Sequence, residues 1–154
     1  MLYNIYMSYL QKVSLFLLRI SLGWVMFYAG ITKVLNPLWS AEGYLKGAKT
    51  FPGLFQWFLN PGVLPIINFV NEWGLTLLGA SLILGIFVRL SSILGIALMV
   101  LYYLPVLEFP YIGKSSYIVD DHIIYALILL YFSVIGAGKY LGFDGWMKKL
   151  FRKN

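Results

Sequence analysis

Four long apolar segments occupy most of this 154-residue chain, at residues 13–35, 66–88, 90–107 and 118–138. Each is about as long as a helix that crosses ~30 Å of hydrocarbon, because an α-helix rises about 1.5 Å per residue. Only 12% of the residues are charged, whereas a soluble domain averages about 25%. These features predict an all-α polytopic membrane protein, in which residues 1–154 form a single domain built as a bundle of four transmembrane helices.

The basic residues are sorted between the two predicted sides of the membrane. Seven lie on the side of the termini, namely Lys12, Arg89, Lys139, Lys148, Lys149, Arg152 and Lys153. Four lie on the opposite side, namely Lys33, Lys46, Lys49 and Lys114. Because short cytoplasmic flanks carry the excess of Lys and Arg, we expect a multi-pass plasma-membrane protein with both termini in the cytoplasm. The net charge of +6 therefore reflects membrane topology and does not indicate a nucleic-acid partner.

The connection between the first two spans is too apolar for a free loop. Residues 36–65 are rich in glycine, proline and aromatic side chains. This composition predicts one or two short helices lying in the outer membrane interface, where they would cap the bundle.

Polar and small residues form one face on each of the first two predicted transmembrane helices. On the first helix, helical spacing aligns Arg19, Gly23, Met26, Gly30 and Lys33. On the second helix, the same spacing aligns Asn68, Glu72, Thr76 and Gly79. Polar faces within a membrane turn inward, and small residues let helices approach closely, so we expect the two faces to meet or to line a common cavity.

Depth in the membrane predicts how the charged residues pair. Arg19 stands seven residues above Lys12, or ~10 Å, whereas Glu72 stands seventeen residues above Arg89, or ~25 Å. Asp144 is the only acidic residue on the inner side, so Arg19 and Asp144 are predicted to form a structural ion pair. The alternative for Arg19 is to extend its side chain to the cytoplasmic headgroups.

The remaining ionisable residues gather in the outer half of the bundle. They are Lys33, Glu72, Asp120, Asp121 and His122. Each also has a structural interpretation: Lys33 suits the interface, and an acid at the start of the fourth helix suits an N-cap. A carboxylate at mid-span has fewer structural explanations, which makes Glu72 the strongest functional candidate. One histidine without any cysteine predicts no metal site.

Several stretches of the chain resemble the DoxX/DoxD family of membrane proteins. On the first helix these are the segment 18–23 followed by Phe27, Gly30 and Lys33. On the second they are Asn71 and Glu72 followed by Gly79 and Gly85, and further on the segments 117–126 and 136–144. The long aromatic outer loop is closer to DoxD-like members.

The resemblance implies a subunit of thiosulfate:quinone oxidoreductase, which oxidises thiosulfate to tetrathionate and passes electrons to membrane quinone. Glu72 and His122 are then the candidate catalytic residues, because both could exchange protons with quinone near neutral pH. Lys33, Asp121 and Tyr125 are the candidate substrate-binding residues. Other aromatic side chains expected to line a quinone slot are Trp24, Tyr28 and Tyr103.

The sequence is also compatible with two other functions. The resemblance also fits a membrane anchor or assembly partner of a soluble redox protein, and a carrier of a small molecule or lipid is a third class. The sequence encodes no metal or nucleotide cofactor, so electrons would pass directly between substrates or through a second redox subunit. The lipid bilayer is the one partner that the composition itself predicts, and a homo-oligomer stays open.

Overall fold

The computed structural model describes residues 7–112 and 116–151. Its helices are α1 (Tyr9–Val34), α2 (Glu42–Lys46), α3 (Pro52–Phe58), α4 (Leu64–Leu84), α5 (Val88–Val106), α6 (Asp121–Ile135) and α7 (Phe143–Phe151). A three-residue 3-10 helix, Ala137–Lys139, follows α6. Three short strands, β1 (Leu107–Glu108), β2 (Tyr111–Ile112) and β3 (Ser116–Tyr117), form an antiparallel sheet in the order β1-β2-β3.

The predicted all-α membrane fold is confirmed. In the described part of the chain, α1, α4 and α5 are long and apolar enough to cross a membrane. The fourth apolar helix, α6, has 15 residues and is shorter than the predicted span 118–138. Its length is ~22 Å at the standard rise. The Asp120 side chain caps its start, and Gly136 ends it in the left-handed conformation with φ 64°.

Local signals also shift two other predicted boundaries. A capping box between Ser8 and Gln11 starts α1 four residues before the predicted position 13. Gly85, with φ 71°, ends α4 at Leu84, although the second span was predicted to continue to residue 88. A glycine in this conformation stops a helix because it turns the chain away while its amide bonds the last turn.

α1 packs on α4 through glycines, which confirms that the two predicted faces meet. A Cβ atom added to Gly79 would lie 2.2 Å from the Phe27 amide nitrogen, and one added to Gly30 would lie 2.3 Å from the Thr76 amide nitrogen. The two backbones are therefore almost in contact. This approach aligns the two helices along their length and fixes Arg19 near one end and Lys33 near the other. We call these the proximal end and the distal end.

α5 packs extensively on α6, whereas α4 and α5 touch less. Between α4 and α5 lies an apolar groove of about 690 Å³, whose lining includes Val70, Gly74, Leu94, Leu98 and Leu101. Large apolar side chains are also exposed on the outer faces of the helices, among them Leu17, Leu77, Ile93 and Leu127. Such a surface fits contact with lipid and would be costly in water.

The distal end is covered by the short elements, as predicted for the outer connection. α2 and α3 form a small core of Ala41, Leu45 and the fully buried Phe55. Two hydrogen bonds join this cap to the end of α5, from the Lys49 amide to the Pro105 carbonyl at 2.9 Å and from the Thr50 hydroxyl to the Leu107 carbonyl at 2.6 Å. The small sheet was not predicted from the sequence, because strands of two residues leave no periodicity to detect.

The glycine contact between α1 and α4 predicts opposite effects for two alanine substitutions. In Gly79→Ala the new methyl group meets the backbone of Phe27, so we expect a loss of stability of about 1–3 kcal/mol or more. In Gly74→Ala the new methyl group meets nothing closer than 3.9 Å, so helix propensity should stabilise the protein by up to about 1 kcal/mol. Thermal unfolding of both variants in one detergent measures the difference. Equal midpoints would contradict the close approach.

Candidate functional site

Polar side chains from four parts of the chain meet at the distal end. We call Lys33, Asn71, Tyr102, Asp120 and His122 the distal cluster. Lys33 comes from the last turn of α1, Asn71 from α4, Tyr102 from α5, and the other two from the start of α6. The cluster therefore depends on the packing of all four long apolar helices.

Tyr102 is the centre of the distal cluster. Its hydroxyl accepts a hydrogen bond from Lys33 Nζ at 3.2 Å and donates one to Asn71 Oδ1. Its ring is stacked on the His122 imidazole, with centroids 5.6 Å apart and planes 22° from parallel. A single side chain thus connects the cation of α1, the amide of α4 and the imidazole of α6.

Two aromatic rings hold the Lys33 ammonium. Its nitrogen lies 5.1 Å from the Trp39 ring centroid and 5.4 Å from that of Tyr102. Cation–π contacts of this kind favour the charged ammonium in a half-buried position. One of its three N–H groups is used by Tyr102, so others remain able to bind an anion.

Asp120 and His122 form a pair at the start of α6. Asp120 Oδ2 lies 2.6 Å from His122 Nδ1, and Asp120 Oδ1 accepts from the His122 amide at 3.0 Å and from the Ile123 amide at 3.2 Å. The predicted capping of this helix by an acid is thereby confirmed for Asp120. Because the carboxylate binds Nδ1, it orients the imidazole and favours a proton on that nitrogen.

Tyr44 of α2 packs on the distal cluster through its contacts with Tyr102. Its hydroxyl donates to the backbone carbonyl of Tyr102, and the two rings meet edge to face with centroids 5.9 Å apart. Burial, and then the nearby charge of Asp120, raise the pKa of Tyr44 to about 12. Its phenol therefore stays protonated, and stays a donor, throughout the physiological range.

The other predicted site residues lie around the distal cluster without bonding to it. Glu72 is half-buried, and its carboxylate makes no hydrogen bond or salt bridge within residues 7–112 and 116–151, although it interacts electrostatically with Lys33 at longer range. Asp121 is exposed at the first position of α6. Tyr125 is half-buried against the main hydrophobic core. On α4 it is Asn71, the neighbour of Glu72, that enters the cluster.

The expected quinone slot of Trp24, Tyr28 and Tyr103 is not formed. Trp24 and Tyr28 are each 60% exposed on the outer face of α1. Tyr103 donates from its hydroxyl to the Ile118 carbonyl at 2.6 Å. Trp24 and Tyr28 are exposed because they lie outside the face of α1, formed by Gly23 and Gly30, that packs on α4.

A small cavity lies beside Tyr102. It has a volume of about 60 Å³ and is lined by Tyr44, Asn71 and Tyr102 together with apolar residues. Val70, Leu98 and Leu101 line both this cavity and the apolar groove between α4 and α5. The distal cluster is thus separated from the groove by a single layer of apolar side chains.

At the proximal end, a second polar arrangement surrounds Arg19, which is 1% exposed. Its Nη1 donates to the carbonyls of Ala137 at 3.0 Å and Tyr140 at 3.2 Å, and its Nη2 donates to that of Leu141 at 2.9 Å. The Arg19 guanidinium also lies over the Phe16 ring, 5.5 Å from its centroid. Arg19 therefore holds the exit segment that follows α6, and does not extend to the headgroups.

The predicted ion pair between Arg19 and Asp144 is replaced by backbone contacts. Asp144 lies in the same region, but Arg19 forms no salt bridge in the described part of the chain. The Asp144 carboxylate instead accepts from the Phe87 amide at 2.8 Å and the Val88 amide at 3.2 Å, which are free at the start of α5. Helix-start amides attract a carboxylate, and free carbonyls attract a guanidinium, so each charge finds backbone partners.

The sequence offered one overlooked sign of Tyr102. Ser92, Gly95 and Met99 of α5 are buried and follow helical spacing, and Tyr102 stands at the next step of that stripe. Asn71 could not be found in this way, since it and Glu72 are adjacent and only the rotation of α4 decides between them.

Among the described residues, no group of three His, Cys, Asp or Glu side chains could hold a metal ion.

The Arg19 contacts predict that lysine cannot replace this arginine. Arg19→Lys keeps the charge but loses the planar fork that reaches three carbonyls. We expect a loss of stability of roughly 1.5–3 kcal/mol, the range for losing a hydrogen bond to a charged group. The exposed Arg89 at the same end is the control, and Arg89→Lys should stay within about 0.5 kcal/mol. Chemical unfolding in detergent compares the two; equal losses would contradict the assignment.

The family model described as DoxX matches residues 14–106, which is more than half of the chain. The match covers most of α1 and all of α2 to α5, and therefore Lys33, Asn71, Glu72 and Tyr102. No curated protein and no solved structure shows a significant match. The closer resemblance to DoxD-like members, which rests on the long aromatic outer loop, stays a prediction. The chain belongs to the DoxX family of membrane proteins.

Proposed function

We propose that this protein is a redox protein that acts with the membrane quinone pool at its distal cluster. The observation that carries the proposal is the linked set Asp120–His122–Tyr102 beside a cavity that shares three lining residues with the apolar groove. A quinone needs an apolar path for its tail and polar groups that donate protons to its ring. The region around Tyr102 offers both within one half of the bundle.

Proton transfer is the chemistry that the distal cluster supports best. Reduction of a quinone takes up two electrons and two protons, and forms the quinol. With Nδ1 held by Asp120, a doubly protonated His122 can deliver a proton from Nε2, which has no partner among the described residues, and is left neutral with its remaining proton on Nδ1. The next proton returns to Nε2, and the Asp120 carboxylate stabilises the charged ring. Glu72 is the proposed second proton carrier, because it is a half-buried carboxylate at the same level of the bundle.

Lys33 is the proposed binding group for the electron donor. In the reaction implied by the DoxD resemblance, two thiosulfate ions join through a sulfur–sulfur bond to give tetrathionate and release two electrons, which the quinone accepts. An ammonium held between two aromatic rings, with N–H groups to spare, can attract a sulfur oxyanion. Asp121 and Tyr125 lie on the first turns of α6, where they would border the same approach.

Proton transfer through His122 predicts the effect of two glutamine substitutions. His122→Gln and Glu72→Gln should each lower quinone reduction at least tenfold while leaving the unfolding midpoint nearly unchanged, because glutamine keeps hydrogen bonding but cannot exchange a proton at neutral pH. The control is Glu42→Gln, which removes an exposed acid paired with Lys46 at 2.6 Å. The measurement is quinone reduction by membranes that contain each variant, with and without thiosulfate.

Three outcomes separate the possible functions. Activity only with thiosulfate supports the thiosulfate-linked reaction, and activity with another donor supports the quinone link alone. No quinone reduction by the wild-type protein with any donor would contradict the proposal, and would favour a membrane anchor or assembly partner of a soluble redox protein.

The groove between α4 and α5 predicts a dependence on the length of the quinone tail. Gly74→Leu should fill part of the groove, since Gly74 lines it and a Cβ there meets only Leu98 and Val70 at 3.9 Å. We expect weaker binding of a long-tailed quinone, by roughly tenfold, with unchanged binding of a tail-less quinone. Gly53→Leu, where a Cβ meets nothing within 4 Å, is the matched control. Equal effects on both quinones would place the tail elsewhere.

A further inference from the structure

A second surface groove lies at the proximal end, far from the distal cluster along the bundle. Its volume is about 540 Å³. The end of α4, the exit segment and the first turn of α7 line it, through residues that include Ile83, Leu84, Lys139, Leu141, Phe143 and Trp146. One wall is therefore the apolar side of a membrane-spanning helix, and the other contains a lysine and a tryptophan.

α7 carries an apolar face that no other element of the described chain covers. Phe143, Trp146 and Leu150 are 50%, 59% and 48% exposed. Their spacing of three and four residues places them on one side of the helix, while the exposed Lys148 lies on the opposite side. A short amphipathic helix of this kind, at the end of a membrane bundle, lies along the headgroup region with its apolar face in lipid.

The charged side chain that lines this groove is that of a lysine, Lys139. In the sequence from Gly136 onward five residues are basic and one, Asp144, is acidic. Asp144 is already engaged by the amides at the start of α5. Lys139 is exposed and forms no salt bridge with any described acid. A negatively charged ligand would meet little opposing charge in this groove.

We propose that the proximal groove binds one anionic diacyl phospholipid. Its phosphate would lie near Lys139 and the Trp146 indole, and its acyl chains would follow Ile83 and Leu84 of α4. Basic pockets at the membrane surface bind anionic headgroups, and tryptophan is favoured at this depth. The inference does not depend on the proposed redox function.

Hydrogen bonds of Arg19 and Asp144 position the two walls of the proximal groove. Arg19 fixes the exit segment through three carbonyls, and the Asp144 amide donates to the Gly85 carbonyl at 2.9 Å. These contacts hold the start of α7 beside the end of α4 and so place the two walls of the groove next to each other. A helix attached by a flexible tether would bind an anionic surface but would form no groove.

The full-length protein in nanodiscs provides the test. The discs contain phosphatidylcholine with increasing phosphatidylglycerol, and native mass spectrometry measures how much phosphatidylglycerol stays bound. Lys139→Gln should weaken retention by roughly fivefold, given the contribution of one cation near a lipid surface. The matched control, Lys49→Gln, replaces an exposed lysine at the distal end and should leave retention unchanged.

A tryptophan pair tests the groove itself apart from its charge. Trp146→Ala should lower retention, whereas Trp24→Ala should not, although the two side chains are almost equally exposed at 59% and 60%. Equal losses in the proximal and distal lysine variants would overturn the proposal, because they would indicate general attraction to the surface. Displacement of the lipid by millimolar inorganic phosphate would also overturn it, since the site would then recognise a free anion.

Discussion

The buried guanidinium of Arg19 is the interaction on which the proximal half of the structure depends. A charge that is 1% exposed inside an apolar bundle is tolerated only when polar groups face it. Three carbonyls of the segment after α6 accept hydrogen bonds from Nη1 and Nη2, although Nε has no partner among the described residues. That segment can offer its carbonyls because Gly136 turns the chain and Gly142 lets it fold closely against Arg19 and Gly85. The position of α7 therefore depends on this one side chain.

The glycine contact between α1 and α4 couples the position of Arg19 at the proximal end to that of Lys33 at the distal end. Because Gly23, Gly30 and Gly79 bring the two backbones together, the rotation of α1 is fixed along its length. Arg19 and Lys33 are fourteen residues apart on the same face, so fixing one positions the other. Lys33 thereby reaches Tyr102 and Trp39 at the distal end without any acidic partner at bonding distance. Packing, more than ion pairing, places the candidate functional residue.

The elements of this fold that rest on hydrophobic length and on spacing along one helix are predictable from the sequence. The face of Arg19, Gly23, Gly30 and Lys33 and its partner face on α4 are of this kind. Contacts that depend on how helices rotate against each other are not predictable in this way, and Asn71 and Tyr102 enter the distal cluster where their neighbours Glu72 and Tyr103 were expected. The Arg19–Asp144 pair was expected because a sequence shows charged side chains but not the backbone carbonyls and amides that helix ends leave free.

The two polar ends differ in the kind of partner that satisfies their charges, and this difference separates structure from function. At the proximal end Arg19 and Asp144 bind backbone groups, which cannot gain or lose protons and whose positions are set by the fold. At the distal end Lys33 donates to Tyr102 and His122 is bonded to Asp120, so side chains that can carry protons contact one another. A reactive site needs groups whose state can change while the frame stays fixed. For that reason the distal cluster is the better place for chemistry, although Arg19 is the most deeply buried charge in the described chain.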